Sequence, residues 1–174
     1  IYFQDPLVDA NDSSTGLVGP LSVRWEPGLS SGPTSSRFAV VDYNGDNGTL
    51  EAPAVWDPTS DRFLGSDGKT FVPVKPSHRQ FRQVNVWAIL QHALEYFEDA
   101  AALGRPIPWA FEGNRLIVVP HAGYGENAFY DRESKSLQFY YFDAGQERVF
   151  TCLSTDIVHH EFGHAVLDGI RPLF

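Results

Sequence analysis

Leu153-Ser-Thr-Asp-Ile-Val-His-His-Glu-Phe-Gly-His-Ala-Val-Leu-Asp168 is the stretch on which the reading of this chain turns. Its apolar positions, Ile157, Val158, Phe162, Ala165 and Val166, recur at helical spacing and predict a helix with one buried face. Ser154 or Thr155 is placed to cap its start, and Asp156 suits the positive end of the helix dipole. Gly169 and then Pro172 are expected to end it. Gly163 sits inside the helix, where glycine costs about 1 kcal/mol relative to alanine. Its missing side chain points either to close approach by another element or to loose packing.

The same helix carries H-E-x-x-H, as His160, Glu161 and His164. Residues four apart stand one turn apart on one face, so both imidazoles can reach a single metal ion. Neutral imidazoles suit Zn2+, and Glu161 projects beside them, placed to take a proton from an attacking water without itself ligating. His159 points about 100° away from His160, which makes it a surface residue or a support for the ligands. Asp168 lies a further turn along, where capping or hydrogen bonding is expected rather than ligation. A longer motif with a third ligand on the same segment fails, because Val166 and Leu167 occupy the place where it needs glycine.

Upstream, Arg37–Tyr43 reads as a strand and Asn44-Gly-Asp-Asn-Gly48 as the turn of a hairpin. A second β-rich portion runs from Trp56 to Val74. Its Asp/Asn/Gly loops are read as turns rather than calcium sites. From Gln83 to Leu103 the pattern becomes helical, with Val86, Ile89, Leu90, Ala93, Leu94, Phe97 and Ala101 forming one apolar stripe, and Gly104 and Pro106 supplying a stop. His92 on this helix reads as an ordinary surface histidine. Strands follow at Leu116–Val119, Asn127–Tyr130 and Leu137–Phe142, the last two joined as a hairpin by Asp131–Lys135, with a short strand near Arg148–Cys152. Residues 1–36, rich in Asp, Ser, Gly and Pro, read as an irregular arm with one short strand near Leu21-Ser22-Val23. The expected class is α+β: a mixed, mainly antiparallel sheet, a long helix, and the motif helix at the far edge of a domain spanning 37–174.

The composition narrows the function. A net charge of -9, from 13 basic and 22 acidic residues, offers no basic surface for phosphates and argues against nucleic acid. A single cysteine, Cys152, excludes an internal disulfide and a cysteine-based zinc site. No apolar run approaches the length of a membrane span.

Two segments together resemble the thermolysin-like zinc metallopeptidases, the gluzincins. Asn127-Ala-Phe-Tyr130 is similar to that family's Asn-Ala-Phe-Trp edge strand, and Asp156–Val166 to its active-site helix. The resemblance implies an endopeptidase in which His160 and His164 bind Zn2+, Glu161 is the general base, and Asn127 and Ala128 hold the backbone of a peptide or protein substrate. Asp156 stands where calcium-binding members carry a ligating acid, so calcium is a second candidate ion. Extracellular localisation also follows from the resemblance alone. Tyr130 departs from the family's Trp. The larger departure is that 165–174 contains no Glu, whereas the family's third zinc ligand is a Glu on a following helix. The chain therefore reads as the N-terminal catalytic half of the fold, inactive alone and lacking a helical second domain. Leu167, Ile170, Leu173 and Phe174 are then expected to be exposed, inviting that partner or self-association. The competing reading is a non-catalytic module that holds extended peptides on the same edge strand.

Overall fold

In the computed structural model, residues 23–70 and 78–172 are described. Leu21 and Ser22 of the expected first strand, the segment 71–77, Leu173 and Phe174 lie outside them.

The chain is α+β, mixed and mainly antiparallel: among the described residues four strand pairings are antiparallel and two parallel. The elements are β1 (Phe38–Val40), β2 (Tyr43–Asn44), β3 (Thr49–Leu50), β4 (Val55–Asp57), β5 (Arg62–Leu64), α1 (Arg79–Glu98), β6 (Leu116–Val119), β7 (Ala128–Asp131), β8 (Ser136–Phe139), β9 (Tyr141–Ala144), β10 (Glu147–Phe150), a 3-10 turn at Thr151–Leu153, and α2 (Thr155–Ile170). One four-stranded sheet, in the order β1-β6-β8-β7, organises the fold. β1, β6 and β8 run parallel, and β7 returns antiparallel along β8 as an edge. The remaining strands form two-stranded ribbons: β2 with β3, β4 with β5, and β9 with β10.

The expected strand Leu137–Phe142 is broken at Tyr140. The Tyr140 N–H and C=O are both engaged by the Thr151 hydroxyl, at 3.0 and 2.8 Å, and β9 leaves the sheet to pair with β10 instead.

Helix α1 begins earlier and ends earlier than its apolar pattern suggests. Arg82, Gln83, Asn85 and Gln91 are buried along with Val86, Ile89, Leu90 and Leu94, so the helix is covered nearly all round rather than on one stripe. Most buried polar side chains are hydrogen-bonded. Gln83 meets the Ala54 N–H at 2.8 Å and the Asp42 carboxylate at 2.6 Å. The helix stops at Glu98 because the Asp99 carboxylate takes the Ala101 N–H at 2.7 Å, diverting it from the helical ladder. His92 stays exposed.

The core lies between the sheet and the two helices. Phe162, fully buried on the inner face of α2, meets Phe38 at 5.9 Å, Phe97 at 6.0 Å and Trp109 at 6.3 Å between ring centroids. Burial of one such side chain is worth about 1.5–3 kcal/mol. Together with Val158, Ala165 and Val166 it fixes which way α2 faces. The described part of the N-terminal region has little regular structure but is tied in: Gly32 pairs with Ala54, and Ser36 donates to Glu26.

Of two glycines in α2, one departs from expectation and the other decides between the two alternatives left open for it. Gly169 does not end the helix, which continues to Ile170. A Cβ there would lie 1.9 Å from the Pro108 carbonyl oxygen, so this glycine admits a crossing backbone. Gly163 has nothing within 4 Å of where its Cβ would stand, so no described element approaches it. Ser154 occupies the N-cap position but makes no side-chain capping hydrogen bond.

Candidate active site

Because α2 presents its apolar face to the core, the opposite face carries the chemistry outward. His160, Gly163, His164 and Leu167 lie along that outer stripe, with Asp156 exposed in the first turn. The two imidazoles converge: their Nε2 atoms are 3.2 Å apart and the ring planes cross at 84°. Two nitrogens each about 2.0–2.1 Å from a tetrahedral zinc ion stand roughly 3.3 Å from one another. The pair thus fits one shared ion, and the donor chemistry suits zinc. Among the described residues, however, no group of three His, Cys, Asp or Glu side chains is disposed to hold a metal.

Glu161 occupies the border between the outer stripe and the core and is only 8% exposed. Its Oε2 accepts the Tyr130 backbone N–H at 3.2 Å. Asp168, seven residues further along the same side of α2, is also 8% exposed. It accepts the Tyr130 hydroxyl at 2.9 Å and the Arg132 Nε at 2.7 Å, with a second, very short contact from Arg132 Nη2. Tyr130 is therefore attached to α2 at two points two turns apart, by its backbone and by its ring. Burial, and then the hydrogen bond to the Asp168 carboxylate, hold its hydroxyl pKa well above the ordinary phenol value.

Between β7 and α2 opens a cleft of about 910 Å3, whose walls include Phe111, Ala128, Tyr130, Glu161, His164 and Leu167. The segment that Gly169 admits contributes Ala110 and Phe111 to its lining, and Phe111 is backed by Trp109, stacked at 6.2 Å with planes 12° apart. The side of β7 away from β8 faces this cleft. The Asn127 carbonyl points inward to the Tyr140 N–H, at 3.2 Å, so strand alternation turns the backbone groups of Ala128 and Tyr130 outward.

The residues singled out from the sequence fall into three groups. His160, Glu161, His164 and Ala128 come together around the cleft or its rim. Asn127 is exposed, and its side chain turns back to accept the Ala128 N–H at 2.9 Å rather than reaching across the cleft. Asp156 stands on the helix surface one turn before His160, and among the described residues it belongs to no group of three or more side chains that could hold a metal. The Tyr130–Asp168–Arg132 clamp was not foreseen beyond a hydrogen-bonding role for Asp168. The only hint was a hydroxyl-bearing aromatic in the strand and an acid at the far end of the motif helix.

No protein-family model, curated protein or solved structure matches the chain.

Proposed function

We propose that the site belongs to a zinc-dependent hydrolase. More particularly, it is that of an endopeptidase of the thermolysin-like kind. The observation that carries the reading is the 3.2 Å convergence of His160 and His164 Nε2, beside a buried carboxylate and across one cleft from an edge strand. His160 and His164 would hold the ion, and the third protein ligand would come from outside the described residues. A bound zinc ion would polarise the scissile carbonyl and make water acidic near neutral pH. Glu161 would accept the proton of the attacking water and deliver it to the leaving nitrogen. Ala128, and the strand around it, would pair with the extended substrate.

The test is metal titration of the protein, followed by mass spectrometry of peptide digests. Zinc should bind at one equivalent and be lost in His160→Ala and in His164→Ala. Glu161→Gln should keep zinc but abolish cleavage. Peptide binding that survives chelation, with no cleavage under any metal loading, would instead favour the non-catalytic peptide-binding module.

A further inference from the structure

We infer that Glu161 is parked on the edge strand in the free protein, and that the peptide backbone which pairs with β7 releases it. The inference rests on the reading of β7 as the substrate-binding strand and names what that strand requires of its ligand.

The outward N–H groups of β7 belong to Ala128 and Tyr130. Each is already taken by a side chain: Ala128 by Asn127 Oδ1 at 2.9 Å, and Tyr130 by Glu161 Oε2 at 3.2 Å. Such capping protects an edge that would otherwise recruit other strands. It also means that the two side chains assigned to substrate holding and proton transfer occupy the donors a substrate needs. A peptide running along the strand presents carbonyls at every second residue, matching the spacing of Ala128 and Tyr130. Its carbonyl oxygens displace Asn127 Oδ1 and Glu161 Oε2 together. A carboxylate accepts more strongly than a carbonyl, so one isolated amide gains too little to make the exchange. An extended backbone that spans both positions, with its side chains in the 910 Å3 cleft, gains enough. The ligand class is therefore an extended peptide segment rather than a short amide. The carboxylate of Glu161 becomes free for proton transfer only when such a segment is in place.

The Asp168 clamp makes this exchange local. With the Tyr130 ring held at 2.9 Å and Arg132 also bound, the strand cannot follow Glu161 away from the helix. The side chain moves and the strand stays.

The experiment uses the full chain stripped of metal, so no cleavage intervenes, with an end-blocked alanine-phenylalanine pentapeptide as probe. In the 1H–15N spectrum, the Tyr130 amide proton should shift upfield in Glu161→Ala without peptide, and the wild-type signal should move when peptide is added. Glu161→Ala should bind the pentapeptide about tenfold more tightly than wild type, with Glu161→Gln in between because its amide oxygen is a weaker acceptor. An unmoved Tyr130 amide in Glu161→Ala, equal affinities across the three proteins, or no binding by any of them would overturn the proposal. Loss of zinc binding or of cleavage, with the Tyr130 amide behaving as described, would instead sink the hydrolase reading and leave the parked carboxylate standing.

Discussion

The Tyr130 hydroxyl donates to Asp168 Oδ2 at 2.9 Å, joining the edge strand to the helix that carries the imidazole pair. The two residues are 38 apart in sequence, and the same tyrosine reaches Glu161 through its backbone. The width of the cleft is thus set by one side chain rather than by the sheet alone. Tyr130→Phe should cost about 1 kcal/mol, the net worth of one hydrogen bond. Asp168→Ala should cost more, because it removes the acceptor of the half-buried hydroxyl together with the ion pair to the more exposed Arg132. Urea denaturation followed by tryptophan fluorescence measures both, and a smaller loss for Asp168→Ala would show the clamp to be incidental.

The two glycines of α2 should respond to alanine with opposite signs. Gly163→Ala meets open space and should gain about 1 kcal/mol of helix stability. Gly169→Ala drives a methyl to 1.9 Å from the Pro108 carbonyl oxygen and 3.0 Å from its carbonyl carbon, so backbone rather than a side-chain tip must shift. The helical gain should be outweighed, leaving a net loss on the order of 1–3 kcal/mol, as in overpacked cores. Thermal melts of the two variants give the comparison directly.

Acid should loosen the fold through a buried network between α1 and the ends of β1 and β6. His121 is fully buried; its Nδ1 meets Asp42 Oδ1 at 2.7 Å and its Nε2 accepts from Arg82 Nε at 2.7 Å. Protonating Nε2 would set two donors against each other beside a buried guanidinium. Burial accordingly pushes the His121 pKa below its ordinary 6.5, with the Asp42 bond and charge opposing. Burial alone would raise the Asp42 pKa, but the His121 hydrogen bond and charge, with Gln83 and Arg79, bring it below its ordinary 3.8. Both groups bind fewer protons folded than unfolded, so both lend stability that fades as pH falls. The histidine contribution is complete above 6.5 and declines as pH drops toward its folded value; the aspartate contribution declines below 3.8. Urea midpoints measured from pH 8 to pH 4.5 should fall in wild type and fall less steeply in His121→Gln, whose lower overall stability is expected to be nearly constant across that range.

Metal should act on the imidazole pair as a unit. Among the described residues two ligands, His160 and His164, converge on one position; two bind zinc more weakly than three, so zinc held by this pair should pass to a mild chelator. Cobalt(II) substitution gives a visible spectrum that reports coordination. A four-coordinate spectrum resistant to chelation would show that a third protein ligand joins the pair.

Much of the local structure was legible. The apolar spacing of Ile157 to Val166 placed α2 and turned His160 and His164 to one side, because helical periodicity is a property of near neighbours. The hairpin of β7 and β8 followed from strand-forming runs on either side of a polar turn. Where the pattern misled, long-range partners were responsible. The apolar stripe alone starts α1 at Gln83, four residues late, and leaves Gln83 out of the core, because its Asp42 and Ala54 partners are 41 and 29 residues away. Gly169 looked like a terminator because nothing near it in sequence announces the Pro108 backbone.

By itself, then, the sequence determined the α+β class, the two helices, and an imidazole pair flanking a carboxylate: features set by contacts within a few residues. Only the tertiary structure decided the strand order β1-β6-β8-β7, the attachment of Tyr130 to Glu161 and Asp168, and the cleft they line. Those depend on which distant segments find complementary shape and hydrogen-bond partners, and the free energy of that choice is spread over residues that no local pattern connects.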